Sequence, residues 1–338
     1  MLRWGGGEAV VGGAGGGDVS EIARAVEILA RGGLVVFPTE TVYGLGADAT
    51  NTGAVRKIFE AKGRPSTNPL ICHVADEAVA RRYARDWPLA ASRIAQRFWP
   101  GPVTLILSKT PEIPDAVTAG LDSVGLRAPD HPVALELLRA FGKPLAGPSA
   151  NRSSRVSPTA AEHVREDLGE RVDLILDGGA CRVGIESTVL DLTGEVPVIR
   201  RPGGVSREEI QTVIGPVQMS HGVVSTAVAA KSPGQQEKHY APRTPAFRFE
   251  TGQREQVAEE GVISISNCAD VRWNTCNVSM PDRPELYAKH LYAVLREMDV
   301  KGLQRIYIEM PPDEAQWAAI RDRLMRATRP LSDSDASG

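Results

Sequence analysis

Lys62 and Arg64 flank Gly63, and Pro65 follows them at once. Proline biases the residue before it away from helix, and glycine accepts the left-handed backbone on which helices end. The spacing therefore aims an ammonium and a guanidinium from one helix terminus into one cleft, an arrangement suited to a polyphosphate. Asn68 adds a neutral hydrogen-bonding group beside them, and His73 lies in the apolar run at 70–74. A cationic helix end that complements its own dipole, followed by a proline turn, accounts for the same residues without any ligand. Other stretches of the chain tip the balance toward a site.

Similar chemistry recurs where apolar runs give way to loops. Leu34-Val35-Val36-Phe37 passes into Pro38-Thr39-Glu40-Thr41-Val42-Tyr43-Gly44, so hydroxyls, a carboxylate and a phenol stand at the end of a strand. Open α/β sheets bind their ligands there. The stretch has neither the phosphate-loop nor the dinucleotide spacing of glycines. The short strand at 123–129 begins at Ser123 and carries Arg127 among apolar residues. An unpaired buried charge is too costly, so Arg127 requires an anionic partner, either a protein carboxylate or a ligand's carboxylate or phosphate. Downstream, Gly147, Ser149, Asn151, Ser153, Ser154 and Ser157 form a loop dense in hydroxyls that ends at Pro158. A helix over 159–168 starts at this point, and its N-terminus together with the hydroxyls suits an anion. Glu186-Ser187-Thr188 and Arg200-Arg201-Pro202 complete the series. Polar groups repeated at strand ends are what one shared pocket produces.

The elements that position these groups alternate between helix and strand. Ser20 is the expected N-cap of a helix with Ile22, Ala25, Val26 and Leu29 on one face, closed by Gly32-Gly33. A second helix at 51–61 delivers the cationic hinge, and strand 70–74 follows it. Two more helices lead to Trp99-Pro100-Gly101-Pro102, a rigid packed turn, before strand 103–107. A helix at 133–141, strands at 172–176 and 196–199 and a helix at 206–213 bring the first domain to an end near residue 215. Residues 216–245 are weakly patterned and read as a linker containing Ser232-Pro233-Gly234 and His239-Tyr240-Ala241-Pro242. Alternation resumes over 246–330, with strands near 247–249, 262–266, 276–280 and 305–309 and helices at 284–298 and 314–327. This is a smaller α/β domain, doubly wound if its strands are parallel, and it shows no catalytic constellation. Residues 1–18 are glycine-rich and expected to be flexible, and 331–338 form a polar tail.

A chain of 338 residues is too long for one small core, which agrees with two domains. The net charge of −3 provides no global field for nucleic acid. The 4 cysteines, Cys72, Cys181, Cys268 and Cys276, lack paired metal spacing and read as reduced structural thiols. No apolar run reaches the length of a membrane span, and the N-terminus has no signal-peptide core. A soluble cytoplasmic protein without membrane partners is the expectation.

With these residues collected, the first 215 or so resemble a YrdC-type domain, and the whole chain resembles the two-domain L-threonylcarbamoyladenylate synthase family. The resemblance is carried by the 38–45 segment, by Lys62-Gly63-Arg64-Pro65 with Asn68-Pro69-Leu70, and by Ser123-Val124-Gly125-Leu126-Arg127. Pro148-Ser149-Ala150-Asn151, Glu186-Ser187-Thr188-Val189 and Arg201-Pro202-Gly203 follow in the family's order. In the linker, Gln235-Gln236-Glu237 departs from the family's more basic pattern. The resemblance implies an open, twisted mixed sheet with helices, followed by a smaller Rossmann-like α/β domain. It further implies that L-threonine, bicarbonate or CO2, and ATP with Mg2+ give threonylcarbamoyl-AMP and pyrophosphate. A separate tRNA threonylcarbamoyltransferase then uses the product on the adenosine next to the anticodon. Matched residue by residue, the pattern places Thr41, His73, Arg127 and Ser187 around threonine, with Gly147 offering backbone. It places Arg64, Asn68, Ser123, Ser149, Asn151, Ser157 and Arg201 around the nucleotide, with Tyr240 over the site. Lys62 belongs with Arg64 to the signature and is expected to face the phosphates; metal ligands are not legible.

The chemistry is self-consistent. A threonine carbamate is already an anion, so its attack on the α-phosphorus needs no general base. The protein must instead hold anions together and offset the charge growing on the leaving pyrophosphate. Lys62, Arg64, Arg127 and Arg201 are cations for that purpose, and Mg2+ adds to them. Two alternatives stand beside this reading. One is a double-stranded RNA-binding protein, since YrdC-like domains are associated with such RNA, although no aromatic runs flank the basic clusters. The other is carbamoyl-adenylate transfer to a different acceptor, a setting that normally brings acylphosphatase-like and zinc-finger segments not visible here.

Overall fold

In a computed structural model of the chain, which describes residues 19–220, 240–257 and 259–331, strand residues alternate between two helical layers. The first part runs α1 (Val19–Ala30), β1 (Val35–Phe37), β2 (Gly44–Asp48), α2 (Thr52–Lys62), β3 (Ile71–His73), α3 (Glu77–Arg81) and α4 (Leu89–Phe98). It continues through β4 (Val103–Ser108), α5 (Asp115–Thr118), β5 (Ser123–Arg127), α6 (Pro132–Phe141), β6 (Leu145–Ala146) and α7 (Ala161–Asp167). It closes with β7 (Leu174–Ile175), β8 (Thr188–Asp191), β9 (Val198–Arg201), α8 (Arg207–Ile214) and β10 (Gln218–Met219). These strands form one 10-stranded sheet in the order β10-β9-β8-β4-β5-β3-β6-β2-β1-β7. The sheet is mixed: β3 and β4 run parallel to β5 and β8 respectively, whereas β4 with β5 and β6 with β3 are antiparallel.

The period of two along a strand sets the layers. On β1, Val35 and Phe37 pack with Ile28 and Leu29 of α1 and Leu137 and Leu138 of α6. Val36 points the other way, into the larger core with Val55 and Ile58 of α2, Ile94 of α4 and Val164 of α7. Asn51 caps α2 by accepting from the Gly53 and Ala54 amides, and Gly63 ends it with φ 61, the left-handed turn that the hinge required. Ser20 does not cap α1, which is already helical at Val19. The helix expected over 159–168 is shorter, Ala161–Asp167. The first sheet also extends beyond residue 215, because Gln218–Met219 pairs with β9.

The second part contains β11 (Ala246–Phe249), β12 (Val262–Ser266), β13 (Arg272–Asn274), β14 (Asn277–Pro281), α9 (Pro284–Val300), β15 (Ile306–Glu309), α10 (Ala318–Ala327) and β16 (Arg329–Pro330). Its 6-stranded sheet has the order β13-β14-β12-β15-β11-β16 and is parallel except for the β13–β14 pair. The core of this part does not stop at the domain boundary. Val42, Val156, Ile185 and Tyr240 belong to the same apolar cluster as Leu291, Tyr292, Leu295 and Leu324. None of the described helices is long and apolar enough to cross a membrane. The expectations for residues 1–18 and 332–338, for Ser232-Pro233-Gly234, for Gln235-Gln236-Glu237 and for His239 fall outside the described residues.

Candidate active site

The exit from β1 is a tight hydroxyl-capped turn. Thr39 Oγ1 donates to the Val42 carbonyl at 2.6 Å and accepts from the Thr41 and Val42 amides at 3.2 Å. This fixes Thr41, whose Oγ1 accepts from Arg127 Nη2 at 2.9 Å. The same Nη2 lies 2.7 Å from the Glu40 carboxylate, with both side chains buried. Of the two kinds of partner open to Arg127, the protein carboxylate is realised. Arg127 Nε donates to the Gly101 carbonyl at 3.3 Å, while Nη1 makes no hydrogen bond among the described residues.

His73 ends β3 beside Arg127, its register partner on β5. Its Nε2 lies 3.1 Å from the Gly147 carbonyl, and the edge of Phe37 stands against the ring at 5.2 Å. Burial, the Arg127 charge beside it and the Gly147 contact together leave its pKa lowered to about 3, so the imidazole is neutral. Only an N–H can bond a carbonyl, which puts the proton on Nε2 and leaves the buried Nδ1 as an acceptor with no protein partner. Gly147 must lack a side chain: a Cβ there would lie 2.7 Å from His73 Cδ2.

The cationic hinge divides its labour. Arg64 donates through Nε to the Asn68 carbonyl at 3.2 Å and through Nη2 to the Pro69 carbonyl at 2.9 Å, and it faces the cavity. Burial lowers its pKa to about 10, with Tyr240 and Arg201 as neighbours, and it remains charged. Lys62 does not face the cavity as expected. It is buried, and its Nζ donates to the carbonyls of Ser149 and Asn151, bracing the loop that carries Ser149. Burial and the Arg64 charge hold its pKa well below the usual lysine value. Asn151 likewise serves its own loop, donating to the Arg152 and Arg155 carbonyls at 2.9 and 2.8 Å. The Oδ1 atoms of Asn68 and Asn151 are buried without partners. Ser123 is at the opposite end of β5, paired with Ser108 and about 13 Å along the strand from Arg127. Among the residues expected at the nucleotide, Asn68, Ser123, Asn151 and Ser157 do not line the cavity, whereas Arg64, Ser149, Arg201 and Tyr240 do. All the residues expected at threonine, Thr41, His73, Arg127, Gly147 and Ser187, line it.

The opposite wall is built from two crossing segments. Arg201 donates to the Ser187 carbonyl through Nε and Nη2 at 3.2 and 3.0 Å, and Ser187 Oγ lies 2.8 Å from Thr104 Oγ1. Gly203 allows the segments to touch, since a Cβ there would lie 2.3 Å from the Ser187 carbonyl carbon. Ser157 is turned away from the cavity and donates to Glu186 at 2.6 Å. Glu186 also accepts from Tyr292 at 2.9 Å and from Arg323 Nε at 2.8 Å. Burial alone would raise its carboxyl, but Arg323 and Arg201, with the hydrogen bonds from Ser157 and Arg323, hold it at about 2. Tyr240 covers this wall. It is 1% exposed, takes a left-handed φ of 62 and stacks on Tyr292 at 5.8 Å. A non-glycine residue in that conformation carries strain on the order of 1–3 kcal/mol and stays only where packing imposes it.

Tyr292 and Arg323 come from the second part of the chain, where sequence reasoning found no site. A signal existed: Arg323 falls among Ile320, Leu324 and Ala327, the apolar face of α10. The cavity itself encloses about 50 Å3. Its polar lining is made of guanidinium groups, hydroxyls, one acceptor imidazole nitrogen and the carboxylate of Glu186, which is already bonded by Ser157, Tyr292 and Arg323 and is too weak a base, at about 2, to act as a general base. No group of three or more His, Cys, Asp or Glu side chains suited to a metal occurs among the described residues.

Comparison with known proteins gives a consistent pattern. Residues 27–203 match a family model described as telomere recombination, that of the Sua5, YciO and YrdC proteins. Residues 205–328 match the model for the C-terminal domain of threonylcarbamoyl-AMP synthase. The chain is 43% identical to the threonylcarbamoyl-AMP synthase of Bacillus subtilis, with 91% of the chain and 92% of the relative covered. It is 37% identical to that of Schizosaccharomyces pombe, covering 87% of the chain and 84% of the relative. The crystal structure of Pyrococcus abyssi Sua5 complexed with L-threonine superposes with a TM-score of 0.85 at 39% identity, covering 93% of the chain and 96% of that structure.

Proposed function

The chain belongs to the two-domain threonylcarbamoyl-AMP synthase family, and on that premise we propose how its site joins L-threonine, bicarbonate or CO2, and ATP into threonylcarbamoyl-AMP. Threonine's ammonium gives one proton to solvent, and the free amine adds to CO2 and releases its second proton to solvent, giving a carbamate. A carbamate oxygen attacks the α-phosphorus, the bond to the β-phosphate oxygen breaks, and pyrophosphate leaves with the electron pair. Neither step needs a strong base in the site, in keeping with a cavity lined by donors, one neutral imidazole and a Glu186 carboxylate of very low basicity.

The observation that carries the reading is the convergence of Arg64, Arg127 and Arg201 on one buried cavity together with Thr41, His73 and Ser187. Arg127 is held by Glu40 on one edge and presents Nη1 to the threonine carboxylate. His73 Nδ1 accepts from the amino acid's hydroxyl or amine. Arg64, Arg201 and Ser149 meet the nucleotide, where fixed cations offset charge growing in the transition state. Lys62 and Asn151 hold the Ser149 loop in place, and Ser157 holds Glu186. Among the described residues the carboxylate lining the cavity is Glu186, which is bonded by Ser157, Tyr292 and Arg323. Mg2+ therefore belongs to the substrate, entering as the phosphates' counter-ion. Tyr240, contributed from outside the sheet, covers the nucleotide side of the cavity.

We place the reaction in the cytoplasm, with the product passing to a separate transferase that modifies tRNA adenosine next to the anticodon. Withholding one substrate at a time tests the reading: pyrophosphate release should fall to background without threonine, and equally without bicarbonate. Release that persists without either, or duplex-RNA binding with no such release, overturns it.

A further inference from the structure

The guanidinium of Arg323 is 0% exposed and touches every segment of the cavity's second wall. Its Nε meets Glu186 at 2.8 Å, and its Nη2 donates to the Pro202 carbonyl at 3.0 Å. Its Cζ lies 5.1 Å from the centre of the Tyr240 ring, while Nη1 is balanced by Asp322 at 2.7 Å. Tyr292 repeats the pattern from α9, donating to Glu186 at 2.9 Å and stacking on Tyr240. A buried ion pair is often neutral for stability, because desolvation cancels much of the attraction. A contact serving only to dock two domains gains nothing from being at one place in the interface rather than another. Here each partner in the first part of the chain is a cavity residue or its chain neighbour: Glu186 precedes Ser187, Pro202 follows Arg201, and Tyr240 is the cover.

We infer that Arg323 and Tyr292 are positioning residues by which the second domain holds Ser187, Arg201 and Tyr240 in place around the nucleotide. The inference rests on the reaction proposed above, yet it is read from binding as well as turnover. Loss of the guanidinium leaves Glu186 a buried carboxylate without its counter-ion and frees Pro202, so Ser187 and Arg201 lose their common anchor. Loss of the Tyr292 hydroxyl alone is milder, since the ring stays on Tyr240.

The test uses the full chain, with ATP and threonine affinities by calorimetry and KM and kcat from pyrophosphate release. Arg323→Met should weaken ATP binding and raise its KM by about tenfold or more, with Arg323→Lys recovering part of the loss through charge alone. Tyr292→Phe should raise KM by about threefold, and its effect should be smaller in a Glu186→Gln background than in the native one, as coupled groups require. If Arg323→Met does not fold, the Tyr292→Phe and Glu186→Gln pair decides alone. Native affinities and KM in folded Arg323→Met, or independent multiplication of the Tyr292→Phe and Glu186→Gln effects, overturns the inference. If the native chain binds ATP but shows no threonine-dependent pyrophosphate release, the reaction assignment fails instead, and the calorimetric comparison still judges the positioning role.

Discussion

His73 is packed between Phe37 and the Gly147 carbonyl, next to a permanent cation, and its protonation state follows from that setting. With the folded pKa near 3, below the ordinary 6.5, the protein favours the neutral ring. The sign of the linkage is that this stabilisation is complete above about pH 6.5 and declines as pH falls toward 3. Glu186 acts in the same sense over a lower window, from the ordinary carboxylate range down to about 2. The His73 ring protons should therefore show no titration in NMR spectra between pH 5 and 8, and a midpoint near 6.5 would refute the buried acceptor. Arg64 and Lys62 should behave differently from one another despite their adjacency. Arg64→Ala removes a cation facing the cavity and should lower the adenylation rate by about two orders of magnitude. Lys62→Met removes the donor beneath the Ser149 and Asn151 carbonyls and should lower thermal stability as well as rate. Equal stability loss in both variants, with equal rates, would dissolve the distinction.

Two elements meet where Gly147 passes beneath His73, and their closeness makes the glycine a sensitive probe. Gly147→Ala would put a methyl 2.7 Å from His73 Cδ2 and 3.2 Å from Phe37 Cζ, two buried rings that are packed against each other. Threonine KM should rise at least about tenfold while far-ultraviolet circular dichroism is unchanged; an unaltered KM would mean the loop has slack. The hinge was legible in the sequence because its causes are local: Asn51 caps α2, Gly63 ends it, and Pro65 prevents continuation. The partner of Arg127 was not, since burial demanded an anion but only the packing of the β1–β2 loop against the end of β5 brings Glu40 to it. The family resemblance gave Lys62, Asn151 and Ser157 to the ligand, whereas in the structure their bonds run to neighbouring carbonyls or to Glu186. Ser123 lies away from the cavity at the other end of β5, because a strand carries its two ends apart. The β13–β14 hairpin escaped notice too, being short and largely exposed along Arg272–Asn274.

At the scale of the molecule, the second part is a wall of the site as well as a neighbour. Its core includes Val42, Val156 and Ile185 of the first part, so truncation after residue 220 would bare those side chains and strand Glu186 without Arg323. The truncated chain should melt at lower temperature and synthesise poorly, measured by thermal denaturation and product yield; full stability and yield would make the second part dispensable. Reading the sequence as alternating elements located both sheets, yet it treated the second as inert, because an arginine on a helix is ordinarily solvated. Only the docked arrangement shows Arg323 buried against the pocket. The central claim is that carbon from bicarbonate, threonine and AMP leave this cavity as one molecule. Its most direct measurement is mass spectrometry of the product formed from 13C-bicarbonate, threonine and ATP, alongside the accompanying phosphates. The prediction is threonylcarbamoyl-AMP carrying the label, with one pyrophosphate per molecule formed. An unlabelled threonyl adenylate, or ADP with inorganic phosphate, would contradict it.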